Sequence, residues 1–567
     1  MSNINQNVIH STSSVSTICQ NCKSNFVIEP DDFSFYEKIG VPAPTWCVDC
    51  RQQRRYAWRN ERTLYRRNCD LCGKNTVTIY SPNKPYKVYC ISCWWGDDWD
   101  TESYGRDFDF TRPFFEQFAE LQKSVPRMAV LNKNNTNSDF TNHSGNNKNA
   151  YISFTVFDCE NVLYANWIMN SRECMDCSFI YEKGEKLYEC IDIHNSYKSQ
   201  YCILMNSSTD CLYCFDVNGS GNCFMSCNLR SQNYIFRNQK YSREEYLKLV
   251  SEYDLSSYSV RQELFKEYTD MIKNKAIHKY MLGERNLNSS GNLLFGCKNA
   301  VNCFELDRAE DSKNIYGSLD IKDSMDLYHV GRKSELCYES HGCVGIYNAL
   351  FCHLCYDNSH LTYCDSCQNS QNLFGCVSVK KGEYMIFNKK YSKEQYLELK
   401  NKIIEHMKNT SEYGEFFPIQ IAPVYFNETR ANIYMPMEKD EVLKKGWNWE
   451  EQIPGVFGKG SVQMSEVPDS ICDINEDYIK NIFTCKTCTK NYNITPDEFS
   501  FYKRETIPLP HKCPDCREKD RITQRLPRKL WHRACSNINC TNEFQSPYNP
   551  NRTEKVYCEK CYQSEVL

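Results

Sequence analysis

Sixteen of the 35 cysteines in this 567-residue chain fall into four groups whose spacing suits a metal ion. Cys19, Cys22, Cys47 and Cys50 make two CxxC pairs separated by 24 residues, and Cys485, Cys488, Cys513 and Cys516 repeat the arrangement 466 residues later. A second group follows each time: Cys69, Cys72, Cys90 and Cys93, then Cys535, Cys540, Cys558 and Cys561. Cys535 and Cys540 depart from the CxxC pattern but stay within ligand spacings. Four thiolates from two tight knuckles match the tetrahedral, soft-donor preference of Zn²⁺. All four positions are filled by protein, which leaves none for water or substrate, so about four structural zinc ions are expected. Energetics agree. A charged module of this size cannot bury enough apolar surface to fold alone, whereas zinc binding supplies roughly 10–16 kcal/mol in small sites. The competing chemistry, thioredoxin-like redox exchange, needs one reactive pair in a βαβ setting rather than eight knuckles.

A second candidate site is arginine. Arg51, Arg55, Arg59, Arg62 and Arg66 recur at spacings of three and four, which predicts one face of a helix running on from Cys50. Arg517, Arg521, Arg525 and Arg528 repeat them after Cys516, with Pro527 expected to shorten that helix. Tyr56, Trp58 and Tyr65 are interleaved. Arginine with aromatic neighbours suits a nucleic-acid backbone, RNA or DNA. The same arginines could pair with acids of the middle region, with Asp97, Asp98 and Asp100, or with another subunit, or could coat a solvated helix. A third set, Asp307, Glu310, Asp311, Asp320, Asp323 and Asp326, raises a carbohydrate-active enzyme as a remote alternative. No phosphate-binding glycine loop, nucleophile elbow or HExxH motif is present, and no catalytic residue is assigned.

The elements that position these residues are written in duplicate. Between the ends, cysteines recur at about twelve residues: Cys190, Cys202 and Cys214; Cys343, Cys355 and Cys367; Cys352, Cys364 and Cys376. Turn residues alternate with short aromatic or β-branched runs. That pattern predicts a mainly β chain: a duplicated β-solenoid with helical insertions, its coil of 12 or 24 residues left open. Each half closes on a similar phrase, Ile235-Phe236 to Tyr241-Ser242 and Ile386-Phe387 to Tyr391-Ser392. Capping boxes Ser242/Glu245 and Ser392/Gln395 start helices there. The expected domains are a flexible tail (1–16), a twin zinc module (17–100), a helix and linker (101–149), a first solenoid half with helices (150–282), a second (283–409), an irregular connector (410–478) and a second twin zinc module (479–567). Inside the solenoid, small reduced cysteines would stack in the core; further metal through Cys174/Cys177, Cys211/Cys214, Cys352/Cys355 or Cys364/Cys367, and disulfides, are the alternatives.

Composition narrows the class. Net charge is −4 and 41% of residues are hydrophobic, which argues against wholesale disorder. No signal-peptide pattern and no long apolar run occur, so a cytoplasmic protein with reduced thiols is expected, without membrane contact and with no small-molecule substrate identified. The ends resemble known zinc modules: a last CxxC at a helix start resembles a treble clef, and the second groups resemble zinc ribbons. The order of parts also resembles a cysteine-rich family of environmental bacterial genomes, through Tyr104–Phe118, Gly414–Pro418 and Lys529–Arg533; that resemblance brings no function with it. The reading is a non-enzymatic, zinc-stabilised scaffold or protein-interaction protein; the alternative is a nucleic-acid-binding protein.

Overall fold

The computed structural model describes residues 13–566. The tail expected over 1–16 lies mostly outside them; Val15–Ile18 is already a strand, paired antiparallel with Asn25–Ile28. The chain is mainly β with twelve helices among the described residues. The eight of nine residues or more are α1 (Pro30–Ile39), α2 (Val48–Tyr56), α3 (Phe114–Ser124), α4 (Arg243–Ser251), α5 (Tyr258–Asn274), α6 (Lys393–Asn409), α7 (Pro496–Glu505) and α8 (Pro514–Thr523). Both expected capping boxes are present: Ser242 and Ser392 each accept from the backbone N–H three residues on. None of the described helices is long and apolar enough to cross a membrane.

The chain forms two compact units, each assembled from two separate segments. The first runs to Ala129 and resumes at Met281–Ile453; the second joins Val130–Tyr280 to Pro454–Leu567. Each cysteine module thus belongs to the same unit as the half of the middle region that is not its sequence neighbour or, at the C-terminal end, not its nearer one.

In both units the middle region is a parallel ladder whose step is twelve residues, stretched to thirteen at Arg172–Glu185 and at Met325–Tyr338. Lys148 pairs with Glu160, Glu160 with Arg172, Ile191 with Ile203, and Ile203 with Phe215. In the other unit Val344 pairs with Tyr356 and Ser359 with Gln371. The stretch 132–149, expected as a linker, already belongs to this ladder: Asn132 pairs with Ser144 and Thr141 with Ser153. Its Asn and Ser residues serve the turns of the ladder rather than a flexible connection.

Backbone geometry shows how twelve residues make one step. Asn146, Asn149, Ile152, Thr155, Asp158, Asn161, Tyr164, Trp167 and Asn170 all have positive φ, one in every three residues. Left-handed φ at a non-glycine costs free energy, most for a branched or aromatic residue. Hydrogen bonds across the ladder offset it. The corner N–H reaches back a step, as in Asp158 N–H to Gly145 O at 3.0 Å and Tyr164 N–H to Tyr151 O at 3.0 Å. A neighbouring N–H reaches forward, as in Phe154 N–H to Ala165 O at 2.9 Å.

The same geometry explains the cysteines. A small inward side chain with one donor and one acceptor satisfies backbone groups on successive steps. Ser153 Oγ donates to Val162 O at 3.3 Å and accepts from Ala165 N–H at 3.2 Å. Cys202 Sγ donates to Cys211 O at 3.5 Å, and Cys343 Sγ accepts from Cys355 N–H at 3.4 Å. Cys159, Cys174, Cys177, Cys190, Cys202, Cys211, Cys214 and Cys223 share one buried core with Val156, Ile168, Ile180 and Ile193. Every cysteine among the described residues is unbridged.

Candidate metal centres and the arginine clasps

Each expected cysteine group closes into a cluster. In all four, the four sulfurs lie within 4.8 Å of one another. Tetrahedral zinc with Zn–S bonds of about 2.3 Å requires sulfurs about 3.8 Å apart. Cys22 and Cys47 are 3.7 Å apart, Cys72 and Cys90 3.9 Å, Cys488 and Cys513 3.6 Å, and Cys540 and Cys558 3.8 Å. The irregular spacing of Cys535 and Cys540 is absorbed without loss of the cluster. Outer-shell donors are in place: Cys47 N–H points to Cys19 Sγ at 3.2 Å, Cys90 N–H to Cys69 Sγ at 3.3 Å, and Cys558 N–H to Cys535 Sγ at 3.3 Å. Asn21 Nδ2 donates to Cys50 Sγ at 3.2 Å. The hydrogen bond from Cys50 draws the Cys47 thiol down to about 5 and pushes Cys50 up, so ionisation is already favoured at one ligand. Donor type, distances and second shell fit four structural metal sites.

The last CxxC of the first group lies on α2, with Cys47 at the N-cap, and α8 begins the same way at Cys513. Both helices are shorter than the arginine spacing predicts. α2 ends at Tyr56 and α8 at Thr523, so Arg59, Arg62 and Arg66, and Arg525 and Arg528, lie beyond them. Arg66 is on the strand Tyr65–Asn68. Turns at Trp58 and Arg59 stop α2: Trp58 N–H bonds to Arg55 O, and Arg59 N–H to Tyr56 O.

The helical arginines are buried against carboxylates of their own unit. Arg51 Nε donates to Asp326 at 3.0 Å; Arg54 and Arg55 each donate to Glu339 at 2.8 Å; Arg54 also reaches Glu415 at 2.8 Å. In the other unit Arg517 donates to Asp176 at 3.1 Å, and Arg521 bonds Asp176 at 3.0 Å and Glu189 at 3.3 Å. Arg525 pairs with Asp192 at 3.0 Å and lies over Phe179. These partners come from the middle region and, for Glu415, from the segment after it, not from Asp97, Asp98 or Asp100; in their own module Arg517 also meets Glu498 at 3.3 Å and Arg521 meets Glu518 at 3.1 Å.

The clasp is duplicated in its main pairs, Arg51 with Asp326 and Arg55 with Glu339 matching Arg517 with Asp176 and Arg521 with Glu189, but not at Arg54, whose counterpart is Asp520. Asp326 and Glu339 stand 150 positions after Asp176 and Glu189, and Tyr338 stands 150 after Tyr188. Tyr36 meets Tyr338 at 5.5 Å; Tyr502, its duplicate, meets Tyr188 at 6.1 Å. Sequence reasoning found Arg51, Arg55, Arg517 and Arg521 but missed Arg54, Glu339, Asp176 and Glu189; the 150-residue offset was the signal for the acids.

The remaining acids are committed to cations or amides mostly one ladder step away. Lys298 donates to Glu310, Arg308 to Asp307 and Asp320, Asn299 to Asp311, and Lys38 pairs with Asp323. The ladder thiols are not equivalent between units. At the 150-residue offset Cys343 is replaced by Ile193, Cys355 by Met205, Cys367 by Val217 and Cys177 by Leu327. Interchange with aliphatic residues fits packing rather than ligation, and no group of three ladder thiols meets within 4.8 Å among the described residues.

No family model matches the chain, and no curated protein matches it. Among solved structures, a Desulfovibrio desulfuricans G20 protein provisionally described as an acetyltransferase is similar at 9% identity. The match covers 39% of this chain and 63% of that one, so this chain spans less than two thirds of its length, and the TM-score is 0.09. Likeness at that score carries nothing over to this chain.

Proposed function

We propose that this protein is a non-enzymatic scaffold for protein partners: a duplicated β-solenoid of twelve-residue coils, each half clamped by a zinc-organised arginine helix. The twelve-residue parallel step, with a left-handed residue at every third position, supports the solenoid. The sulfur separations support zinc at all four clusters. The observation that carries the reading is the burial of Arg51, Arg54, Arg55, Arg517 and Arg521 against carboxylates of the same unit. An arginine face that reads phosphates must be open to them; these side chains are internal struts.

The test is metal content by mass spectrometry, followed by titration of the same sample with single-stranded RNA and duplex DNA at about 50 and 200 mM salt. About four zinc ions per chain, without binding that weakens steeply with salt, is the expected result. Tight binding that collapses at the higher salt would favour a nucleic-acid-binding protein. Far fewer than four metal ions would remove the zinc framework.

A further inference from the structure

We infer that the hairpin of the first cysteine module, Val15–Ile18 with Asn25–Ile28, is a docking edge for an extended segment of a protein partner that carries a lysine or arginine. This deepens the scaffold reading and rests on it. Among the described residues the two strands pair only with each other. Strand alternation and their register put Ser16, Ile18, Asn25 and Val27 on one face, and all four are exposed. Ile18 is 61% exposed and Val27 51%. Ile28, on the opposite face, is buried.

The second unit shows what covers such a face. At the 466-residue offset the hairpin is Phe483–Thr484 with Asn491–Tyr492, and residues 456–462 cross it as a strap. On one edge Asn491 N–H donates to Val456 O at 2.6 Å; on the other Ser461 N–H donates to Ile482 O at 2.9 Å. Phe457 bridges Lys490, and Val462 bridges Phe483. Between these edges Gly460 lies so close that a Cβ would stand 2.0 Å from Thr484 Oγ1. Asn491 is left 8% exposed. Ser16, Ile18 and Asn25 are the counterparts of Ile482, Thr484 and Asn491, and no described segment bridges their strands. The alternation of an antiparallel pair turns the Asn25 N–H and the Ser16 C=O outward, as a donor and an acceptor for an added segment. The open face is also the more apolar copy: Ile18 and Val27 stand where the strapped hairpin has Thr484 and Asn493. An exposed apolar patch beside free strand edges marks an interaction site.

Charge specifies the partner. In the second unit Lys490 pairs with Asp515 at 2.8 Å. Asp49 is the duplicate of Asp515, but Ser24 stands in the place of Lys490. Asp49 is exposed and has no ion-pair partner among the described residues. A Cβ on Gly455, at the start of the strap, would lie 3.4 Å from Lys490 Cε. A lysine at that point of an incoming segment is therefore placed over Ser24, where its ammonium meets Asp49. The segment that fits is extended, has glycine or another small residue where it crosses Ile18, and brings one cation.

The test uses the zinc-loaded full chain and a fluorescein-labelled peptide of residues 454–463 carrying Gly455→Lys, with anisotropy as the readout. Saturable binding is expected, weakened about tenfold or more by Ile18→Asp, which puts a charge under the crossing. The Gly455→Lys peptide should bind about twofold to fivefold more tightly than the unchanged one, the range of an exposed ion pair, and Asp49→Asn should cancel that gain. Zinc content measured on Ile18→Asp shows whether its module stands; should it lose zinc, Val27→Asp takes its place. No binding, or binding that Ile18→Asp leaves unchanged, overturns the docking edge. So does self-association that Ile18→Asp abolishes, which gives the edge to a second copy, and so does binding that appears only once residues 1–12 are removed, which gives it to the chain's own first residues. Zinc content and the nucleic-acid titration report on the scaffold reading separately, so with both as expected a peptide that fails to bind removes this edge alone.

Discussion

Glu339 and Glu189 occupy the same position in the two clasps but not the same environment. Glu339 accepts from two arginines at 2.8 Å, whereas Glu189 faces Arg521 at 3.3 Å. Burial, only partly opposed by Arg521, pushes the Glu189 carboxyl up to about 7. An acid whose folded pKa lies above its unfolded value near 4.3 stabilises the fold below that value, and the contribution is lost as pH rises through about 7. Glu339→Gln removes the charge that neutralises Arg54 and Arg55, so it is expected to cost about 3–5 kcal/mol. Glu189→Gln should cost much less, and its stability relative to the wild type should rise as pH climbs from about 4.3 to about 7. Urea denaturation of both variants from pH 5 to 8.5 measures this; equal losses at all pH values would contradict the asymmetry. The arginine half of each clasp was legible in the sequence because arginines at helical spacing stand out. The acid half was not, since single carboxylates scattered along a ladder carry no periodic signal of their own. It becomes visible only when the two halves of the chain are aligned at 150 residues.

α2 joins the metal to the clasp. Nine residues are too few to hold a helix in water. Cys47 and Cys50 fix its first turn, and Arg51, Arg54 and Arg55 fix the rest. Cys50→Ser should therefore do more than remove one ligand. Zinc content should fall from about four to about three per chain, and exchange protection should be lost both over Val48–Tyr56 and over the strand Tyr338–His341, which carries Glu339. Loss confined to the cysteine module would mean that the helix docks without its metal. The helix starts were readable from CxxC spacing and from the Ser242/Glu245 and Ser392/Gln395 boxes, because caps are local chemistry. The ends of α2 and α8 were not: the arginine spacing continues past them, but the chain turns where Trp58 is buried beside His353 and Phe417. The twelve-residue step was legible in the cysteine ladders. Its start at 132 was missed because corner residues of the ladder, Asn134, Asn137 and Asn146, have the composition of a loop.

Chain order is interleaved at the scale of the molecule: the segments of the two units alternate along the sequence. Each unit needs two segments separated by more than a hundred residues, so its clasp closes only after a long stretch has been made. Such contacts are slow to form and leave surface exposed meanwhile. In the first unit, residues 281–453 would carry Asp326, Glu339 and Glu415 without the arginines that neutralise them, and Asp365 without Arg127. Produced alone, that segment should be poorly soluble and weakly protected. Co-produced with residues 1–129 in the presence of zinc, it should be recovered as a complex. The pairs are buried and thus poorly screened, so the complex should survive about 0.5 M salt. Co-purification with native-like circular dichroism checks this. A soluble, folded 281–453 fragment that ignores 1–129 would show that the ladder stands without its clamp, and that the buried arginines serve some other end.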